Sequence, residues 1–120
     1  MASHIGAKRL VVGAHYGLGE WLAQRLTAVV LGVYVIALGV CVIVQRDLRY
    51  DTWSAIFVPL WAKVVTLLAL AALLYHAWIG MRDIWMDYVK PAGLRLTLQV
   101  ATILWLAACA VWSVQILWRV

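Results

Sequence analysis

The sequence predicts an all-α membrane protein with three transmembrane helices, and two observations support this prediction. Of its 120 residues, 67% are hydrophobic and only 12% are charged, whereas about a quarter of the residues in a typical soluble domain are charged. Three apolar stretches, residues 26–45, 64–81 and 96–118, meet or approach the roughly 20 residues that a helix needs to cross a bilayer. We therefore expect a single membrane domain over residues 1–120, with its two ends on opposite sides of the membrane.

The first part of the chain is expected to be a polar arm over residues 1–25, leading into a first helix at about residues 22–45. The arm contains four glycines, Gly6, Gly13, Gly17 and Gly19. Within the helix, Ala28, Gly32 and Gly39 lie near one face. Such a stripe of small residues lets another helix approach closely.

A second helix is expected at about residues 54–88 and a third at about residues 94–118. Pro59 should lie in the first turns of the second helix, where its missing N–H and fixed φ are best tolerated. Lys90-Pro91 should end that helix, because the residue before a proline disfavours helical geometry. The apolar stretch of the third helix carries no charged residue, so we assign it packing and lipid contact only.

The net charge of +5 lies in the loops, so it does not indicate a nucleic-acid partner. Lys and Arg residues are more numerous near one predicted side of the membrane than near the other, which favours a cytoplasmic N-terminus and a cytoplasmic second loop. The first side has Lys8, Arg9, Arg25, Arg82, Lys90 and Arg95, and the second has Arg46, Arg49 and Arg119, with Lys63 just inside the second helix.

His76 lies inside the apolar stretch 64–81. An imidazole at membrane depth costs free energy unless its ring nitrogens have a partner, so it is a candidate functional residue. The other two histidines, His4 and His15, precede the first apolar stretch, so a haem held by two histidines would need its second ligand from another chain. The alternatives are a proton relay and a packing role, in which the ring donates one hydrogen bond to a neighbouring carbonyl.

Small residues share the predicted helix face of His76. Ala69, Ala72 and Gly80 lie at spacings of three or four along that face. They would leave a flat groove for a planar macrocycle, which favours a haem, although small-residue faces also occur where helices only pack together. The sequence has no CxxCH motif, so covalent haem attachment is not indicated.

Three further residues are candidate binding residues near the helix ends. Tyr88 lies 12 residues beyond His76, which is about 18 Å along a helix axis, and its phenol could donate to a quinone carbonyl. Asp87 could supply or orient protons. The alternative for both residues is an ordinary solvated loop. Arg25 could bind either lipid phosphate or haem propionates.

Several motifs resemble the D-type hydrophobic membrane-anchor subunits, the small cytochrome b anchors, of bacterial succinate dehydrogenase. They are residues 76–81 (HAWIGM), 87–91 (DYVKP) and Leu94-Arg95, with Trp21, Gln24-Arg25 and Thr27-Ala28 at the first helix and residues 62–64 (AKV) and 66–70 (TLLAL) in the second. The likeness covers most of residues 20–99. The third helix matches mainly in being apolar.

The resemblance implies a membrane-anchor subunit of succinate:ubiquinone oxidoreductase (respiratory complex II) in the bacterial inner membrane, non-catalytic alone. It implies three partners: a flavoprotein subunit, an iron–sulfur subunit and a larger three-helix cytochrome b anchor subunit that packs against this chain. By this resemblance His76 is one axial ligand of the iron of a haem b shared with the larger anchor. Tyr88 would hydrogen-bond ubiquinone and Asp87 would assist proton delivery, while His15 and Glu20 have no assigned role.

Two other functions are compatible with the residues. One is a non-redox membrane scaffold or transporter subunit, in which His76 is structural or relays protons. The other is a homodimeric cytochrome with His76 from each copy. The haem content of membranes carrying the chain and its partners distinguishes the first from the leading interpretation, and haem retained by the isolated chain would indicate the second.

Overall fold

The computed structural model describes residues 2–120, with side chains from residue 17 onward. Over that range the chain forms four α-helices and no strand. The helices are α1 (Ala2–Gln45), α2 (Tyr50–Ala55), α3 (Leu60–Tyr88) and α4 (Ala92–Arg119). The part of α1 from Gly17 onward, α3 and α4 are each long and apolar enough to cross a membrane. The predicted all-α fold with three membrane-spanning helices is therefore confirmed.

α1 begins earlier than the sequence predicts. Instead of a separate arm followed by a helix from about residue 22, the backbone is helical from Ala2 onward. Extending an existing helix adds a hydrogen bond per residue without a second nucleation cost, and this outweighs the low helix propensity of the glycines. The side chain of His15 lies outside the described residues, so its unassigned role is not addressed by the fold.

The second predicted helix is interrupted near its start. α2 ends at Ala55 and α3 begins at Leu60, rather than forming one helix from about residue 54. Pro59 is the residue ahead of α3, with an extended backbone of φ −63° and ψ 142°, and not a residue of its first turn. Because the residue before a proline is itself driven toward extended geometry, two consecutive residues leave the helical path and separate α2 from α3.

α3 ends at Tyr88, next to the predicted stop at Lys90-Pro91. Val89 is extended, with φ −99° and ψ 109°, so the chain leaves the helix one residue before Lys90, the residue that Pro91 restricts. The Val89 N–H donates to the carbonyl of Trp85 at 3.2 Å. This bond closes the last helical turn, which carries Asp87 and Tyr88.

α3 packs against both α1 and α4, and the α1–α3 pair is antiparallel. Contacts between these two helices occur at four successive depths. They are the ion pair of Glu20 with Arg82, the approach of Gln24 to Gly80, and the hydrogen bonds of Thr27 with His76 and of Tyr34 with Thr66. We call the end of the molecule that carries Glu20 and Tyr88 the Tyr88 end.

The three long helices bury little of their surface against one another. From residue 17 onward, at most 17% of the most apolar window of any spanning helix is buried within the chain. The small residues predicted on α1 follow this pattern, since a Cβ added at Gly32 or Gly39 would meet no other atom within 4 Å. That stripe therefore does not face α3, and it leaves α1 open to lipid or to another chain.

Candidate functional site

His76 lies at the α1–α3 interface, where it meets a side chain of α1. Its Nδ1 is 2.9 Å from Thr27 Oγ1, and the ring is half-buried. α3 runs from Leu60 to Tyr88. His76 therefore lies roughly 24 and 18 Å from the two ends of this helix at ~1.5 Å per residue, within a hydrocarbon core about 30 Å thick.

The partners of the Thr27 hydroxyl favour one tautomer of His76. Thr27 Oγ1 is 2.8 Å from the carbonyl of Ala23 and 3.1 Å from that of Gln24, and both carbonyls can only accept. When the hydroxyl donates to Ala23, its oxygen accepts from Nδ1–H. The opposite assignment would put the ring proton on Nε2, which has no hydrogen-bond acceptor among residues 17–120, and an unpaired donor in apolar surroundings is costly.

The sequence suggests an open groove along the whole small-residue face of α3, but α1 covers the two ends of that face. Ala69 is only 4% exposed and lines the α1–α3 interface beside Val33 and Tyr34. A Cβ added at Gly80 would lie 3.9 Å from the side-chain nitrogen of Gln24. The outer members of the face therefore admit α1, because small side chains let the two backbones approach.

A polar cavity of about 280 Å³ lies between α1 and α3 one to two turns from the His76–Thr27 pair, toward the Tyr88 end. It is lined by Glu20, Gln24, Arg25 and Asp83, with Gly17, Trp21 and Ile79. The side-chain oxygen of Gln24 is buried there without a hydrogen-bond partner among the described residues. A buried acceptor of this kind is costly unless a water or a ligand donates to it.

Charges around this cavity leave Arg25 as its unpaired cation. Arg82 forms ion pairs with Glu20 and, at 3.7 Å, with Asp83, so it offsets much of their negative charge. Arg25 forms no ion pair within residues 17–120, and its guanidinium lies 5.3 Å from the centre of the Trp21 ring. Arg25 can therefore interact with an external anion, either a lipid phosphate or a carboxylate.

Tyr88 and Asp87 lie at the very end of α3, away from His76. The side chain of Tyr88 is 79% exposed and Asp87 is also exposed, so neither is enclosed by this chain. Nearby, the indole N–H of Trp85 donates to Thr102 Oγ1 at 2.9 Å, and the Thr102 hydroxyl donates to the carbonyl of Leu98. This bond fastens the last turn of α3 to α4.

Comparison with known proteins agrees with this architecture. A family model described as the succinate dehydrogenase/fumarate reductase transmembrane subunit matches residues 1–112. The succinate dehydrogenase hydrophobic membrane anchor subunit of Coxiella burnetii (strain RSA 493 / Nine Mile phase I) is similar to this chain, with 38% identity over 102 residues that cover 85% of this chain and 89% of that protein. The chain belongs to this family. It is a multi-pass transmembrane anchor subunit, and the family resemblance drawn from the motifs is confirmed.

Several polar residues of this anchor subunit escaped the sequence reasoning. Thr27 was noted only as part of a motif, and the ion pair of Glu20 with Arg82 and the bond of Trp85 to Thr102 were not anticipated. These pairs join residues 49, 62 and 17 positions apart in the chain. They become visible only once the register of the helices is known, although each combines complementary polar groups within otherwise apolar helices.

The anchor fold distributes the predicted site residues over two regions. His76 lies at mid-membrane depth against α1, while Arg25 lines the cavity between that depth and the Tyr88 end. Asp87 and Tyr88 lie together on the last turn of α3. The chain can therefore offer a nitrogen ligand inside the membrane, and separately a phenol and a carboxylate near its surface.

Proposed function

We propose that this anchor subunit supplies one axial ligand of a b-type haem, Nε2 of His76, in a bacterial succinate:ubiquinone oxidoreductase. The observation that carries the proposal is the 2.9 Å contact between His76 Nδ1 and Thr27 Oγ1. Metal-ligating histidines almost always donate their other ring N–H to an outer-shell acceptor. Here that acceptor engages Nδ1, and Nε2 has no hydrogen-bond partner among residues 17–120.

The residues fit one half of a haem site with two histidine ligands. When bound, the haem supplies a one-electron redox centre. This chain places one imidazole between two apolar helices with its Nδ1 against Thr27 Oγ1, and Arg25 would neutralise a propionate. No second histidine occurs in the apolar stretches, so the other ligand would come from the larger cytochrome b anchor subunit.

Ubiquinone would be bound at the Tyr88 end. The exposed phenol of Tyr88 would donate to a quinone carbonyl, and Asp87 beside it would hold a proton for the reduced quinone. We place this end on the cytoplasmic side of the inner membrane, following the excess of Lys and Arg there. The iron–sulfur subunit would approach the same end, and the flavoprotein subunit would lie beyond it.

A structural histidine in a non-redox scaffold is the second candidate, because the bond to Thr27 is also what a packing histidine would make. The two functions differ at Nε2. A packing role gives Nε2 no ligand, whereas the haem-binding role requires one. Haem content therefore separates them directly.

The test is His76→Ala in the purified complex containing all its subunits. We expect loss or marked change of the low-spin b-type absorption spectrum, because alanine offers no ligand to iron. Tyr75→Phe is the matched control, since Tyr75 precedes His76 and is 48% exposed; it should keep the parent spectrum. An unchanged b-type spectrum in assembled His76→Ala complex would contradict the proposal.

A further inference from the structure

Thr27 is placed to do more than fill space beside His76. Its oxygen lies within hydrogen-bond distance of three groups: the imidazole Nδ1 at 2.9 Å, and two backbone carbonyls at 2.8 and 3.1 Å. A hydroxyl has one proton to donate and lone pairs to accept with. With its proton directed to a carbonyl of its own helix, Thr27 presents an acceptor to α3.

We infer that Thr27 is a positioning residue that holds the proton of His76 on Nδ1, and thereby tunes the affinity and reduction potential of the haem iron. The inference rests on the proposed function, because it acts through Nε2 as the iron ligand. A hydrogen bond from Nδ1–H fixes the tautomer and ring orientation, and it raises the basicity of the coordinating nitrogen.

The direction of the effect follows from the charge on the iron. A more basic Nε2 donates more electron density and favours the oxidised, more positive iron, so the bond to Thr27 lowers the reduction potential. Without the hydroxyl, Nδ1–H would lack an acceptor in apolar surroundings. The tautomer with its proton on Nε2, which blocks coordination, would then no longer be disfavoured.

The chain contains a matched control for this bond. Tyr34 OH and Thr66 Oγ1 are 2.8 Å apart and join the same two helices. Thr66 lies ten residues from His76, about 15 Å along α3. Thr66→Val therefore removes a threonine hydroxyl and one α1–α3 hydrogen bond without touching the imidazole.

The experiment compares Thr27→Val, Thr27→Ser and Thr66→Val in the complete complex, by haem content and by redox titration of the haem. For Thr27→Val we expect about tenfold weaker haem retention, the lower end of the effect of removing such outer-shell partners, and a higher reduction potential. If the tenfold loss falls on the oxidised haem alone, the reduction potential rises by ~59 mV for one electron. Thr27→Ser keeps a hydroxyl at this position, so its haem content and reduction potential should match those of the parent complex. The Thr66→Val complex should match the parent in both as well.

Three results would overturn the inference. The first is a Thr27→Val complex that matches Thr66→Val in both haem content and potential. The second is a Thr27→Ser complex as impaired as Thr27→Val, which would indicate a steric role. If the Thr27→Val complex does not assemble, ¹⁵N NMR of His76 in the reduced parent complex is measured instead. The third result that would overturn the inference is a His76 ring without a hydrogen-bonded proton on Nδ1.

His76→Ala separates this inference from the proposed function. Loss of the haem spectrum in His76→Ala, together with parental behaviour of Thr27→Val, would leave the ligand assignment intact and reject only the role of Thr27. An unchanged spectrum in His76→Ala would reject the ligand assignment, and the role of Thr27 with it.

Discussion

Tyr88 lies on the last turn of α3 and is 79% exposed. Tyr88→Phe keeps the ring and removes the donor. If the phenol donates to the quinone carbonyl, we expect kcat/KM for ubiquinone to fall roughly two- to tenfold, the effect of losing one hydrogen bond of about 0.5–1.5 kcal/mol. Steady-state quinone reduction by the purified complex measures this change.

Tyr75→Phe provides the control for Tyr88→Phe, because it makes the same chemical change 13 residues earlier in α3. Succinate oxidation with an artificial soluble acceptor should stay at the parent rate in both variants. Equal loss of quinone reduction and of soluble-acceptor activity in Tyr88→Phe would indicate misassembly. A Tyr88→Phe complex with parental quinone kinetics would exclude the phenol as a quinone donor.

At the scale of single residues, the sequence singles out His76 as a candidate but does not indicate its partner Thr27. A lone imidazole within apolar residues is conspicuous because hydrocarbon offers it no hydrogen bond. A threonine in a transmembrane helix is unremarkable, since its hydroxyl can bond to the carbonyl four residues earlier, as Thr27 does with Ala23. Only the register of α1 against α3 shows that the same oxygen also meets His76.

At the scale of the helices, hydropathy correctly predicted the number of membrane-spanning helices. It did not predict the residues at which α1 and α3 begin. The three apolar stretches became the spanning parts of α1, α3 and α4, because twenty apolar residues in lipid must satisfy their own backbone groups. The early start of α1 at Ala2 and the break before Pro59 depend on the backbone preferences of glycine and proline. These preferences amount to about 1 kcal/mol per glycine and about 3 kcal/mol per proline, and a hydropathy pattern does not measure them.

The bond between Trp85 and Thr102 should measurably stabilise α3 against α4. Trp85→Phe keeps an aromatic ring and removes the indole donor, which leaves the oxygen of Thr102 without its partner from α3. We expect the hydrogen bond itself to account for roughly 0.6 kcal/mol of the stability lost, the average coupling energy for hydrogen bonds between transmembrane helices. Thermal or denaturant-induced dissociation of the subunit in detergent would measure this loss.

A double-mutant cycle with Thr102→Val isolates this contact from the rest of the tryptophan. In the Trp85→Phe background, Thr102→Val should cost less than it does in the parent complex. Trp105→Phe is the control, because Trp105 lines a groove on α4 together with Trp85 and Thr102 and is 73% exposed. Strictly additive effects of Trp85→Phe and Thr102→Val would show that the bond contributes nothing.

At the scale of the whole molecule, most of the apolar side chains described are exposed and are not packed against other parts of the chain. The described residues have four buried hydrophobic side chains, Ala62, Ala69, Ile79 and Leu117, which is a small core for three spanning helices. Lipid can cover apolar side chains, so exposure alone does not require a protein partner. The stronger indication comes from the proposed function, in which His76 would ligate a haem with two histidine ligands and the second ligand would come from another polypeptide.

The need for a second polypeptide predicts that haem binding depends on which other subunits are present. Under the proposed function, the subunit expressed alone should retain no b-type haem after mild detergent extraction, because it would supply only one of the two histidine ligands and only part of the surrounding site. Co-expressed with the larger cytochrome b anchor, it should purify with haem, and with the full set of subunits it should also carry flavin and iron–sulfur protein. Absorption spectra and subunit composition of the three preparations measure this directly.

The outcome separates two architectures that share the same ligand residue. A homodimer would bring His76 from each of two copies, so the isolated chain would hold haem, and adding the larger anchor would not change its amount. A shared site would show haem only when both anchors are present, and His76→Ala would remove it from that pair. Because this chain carries one histidine in its apolar stretches, haem in the isolated chain at a ratio of one per two copies would establish the homodimer and exclude the shared site.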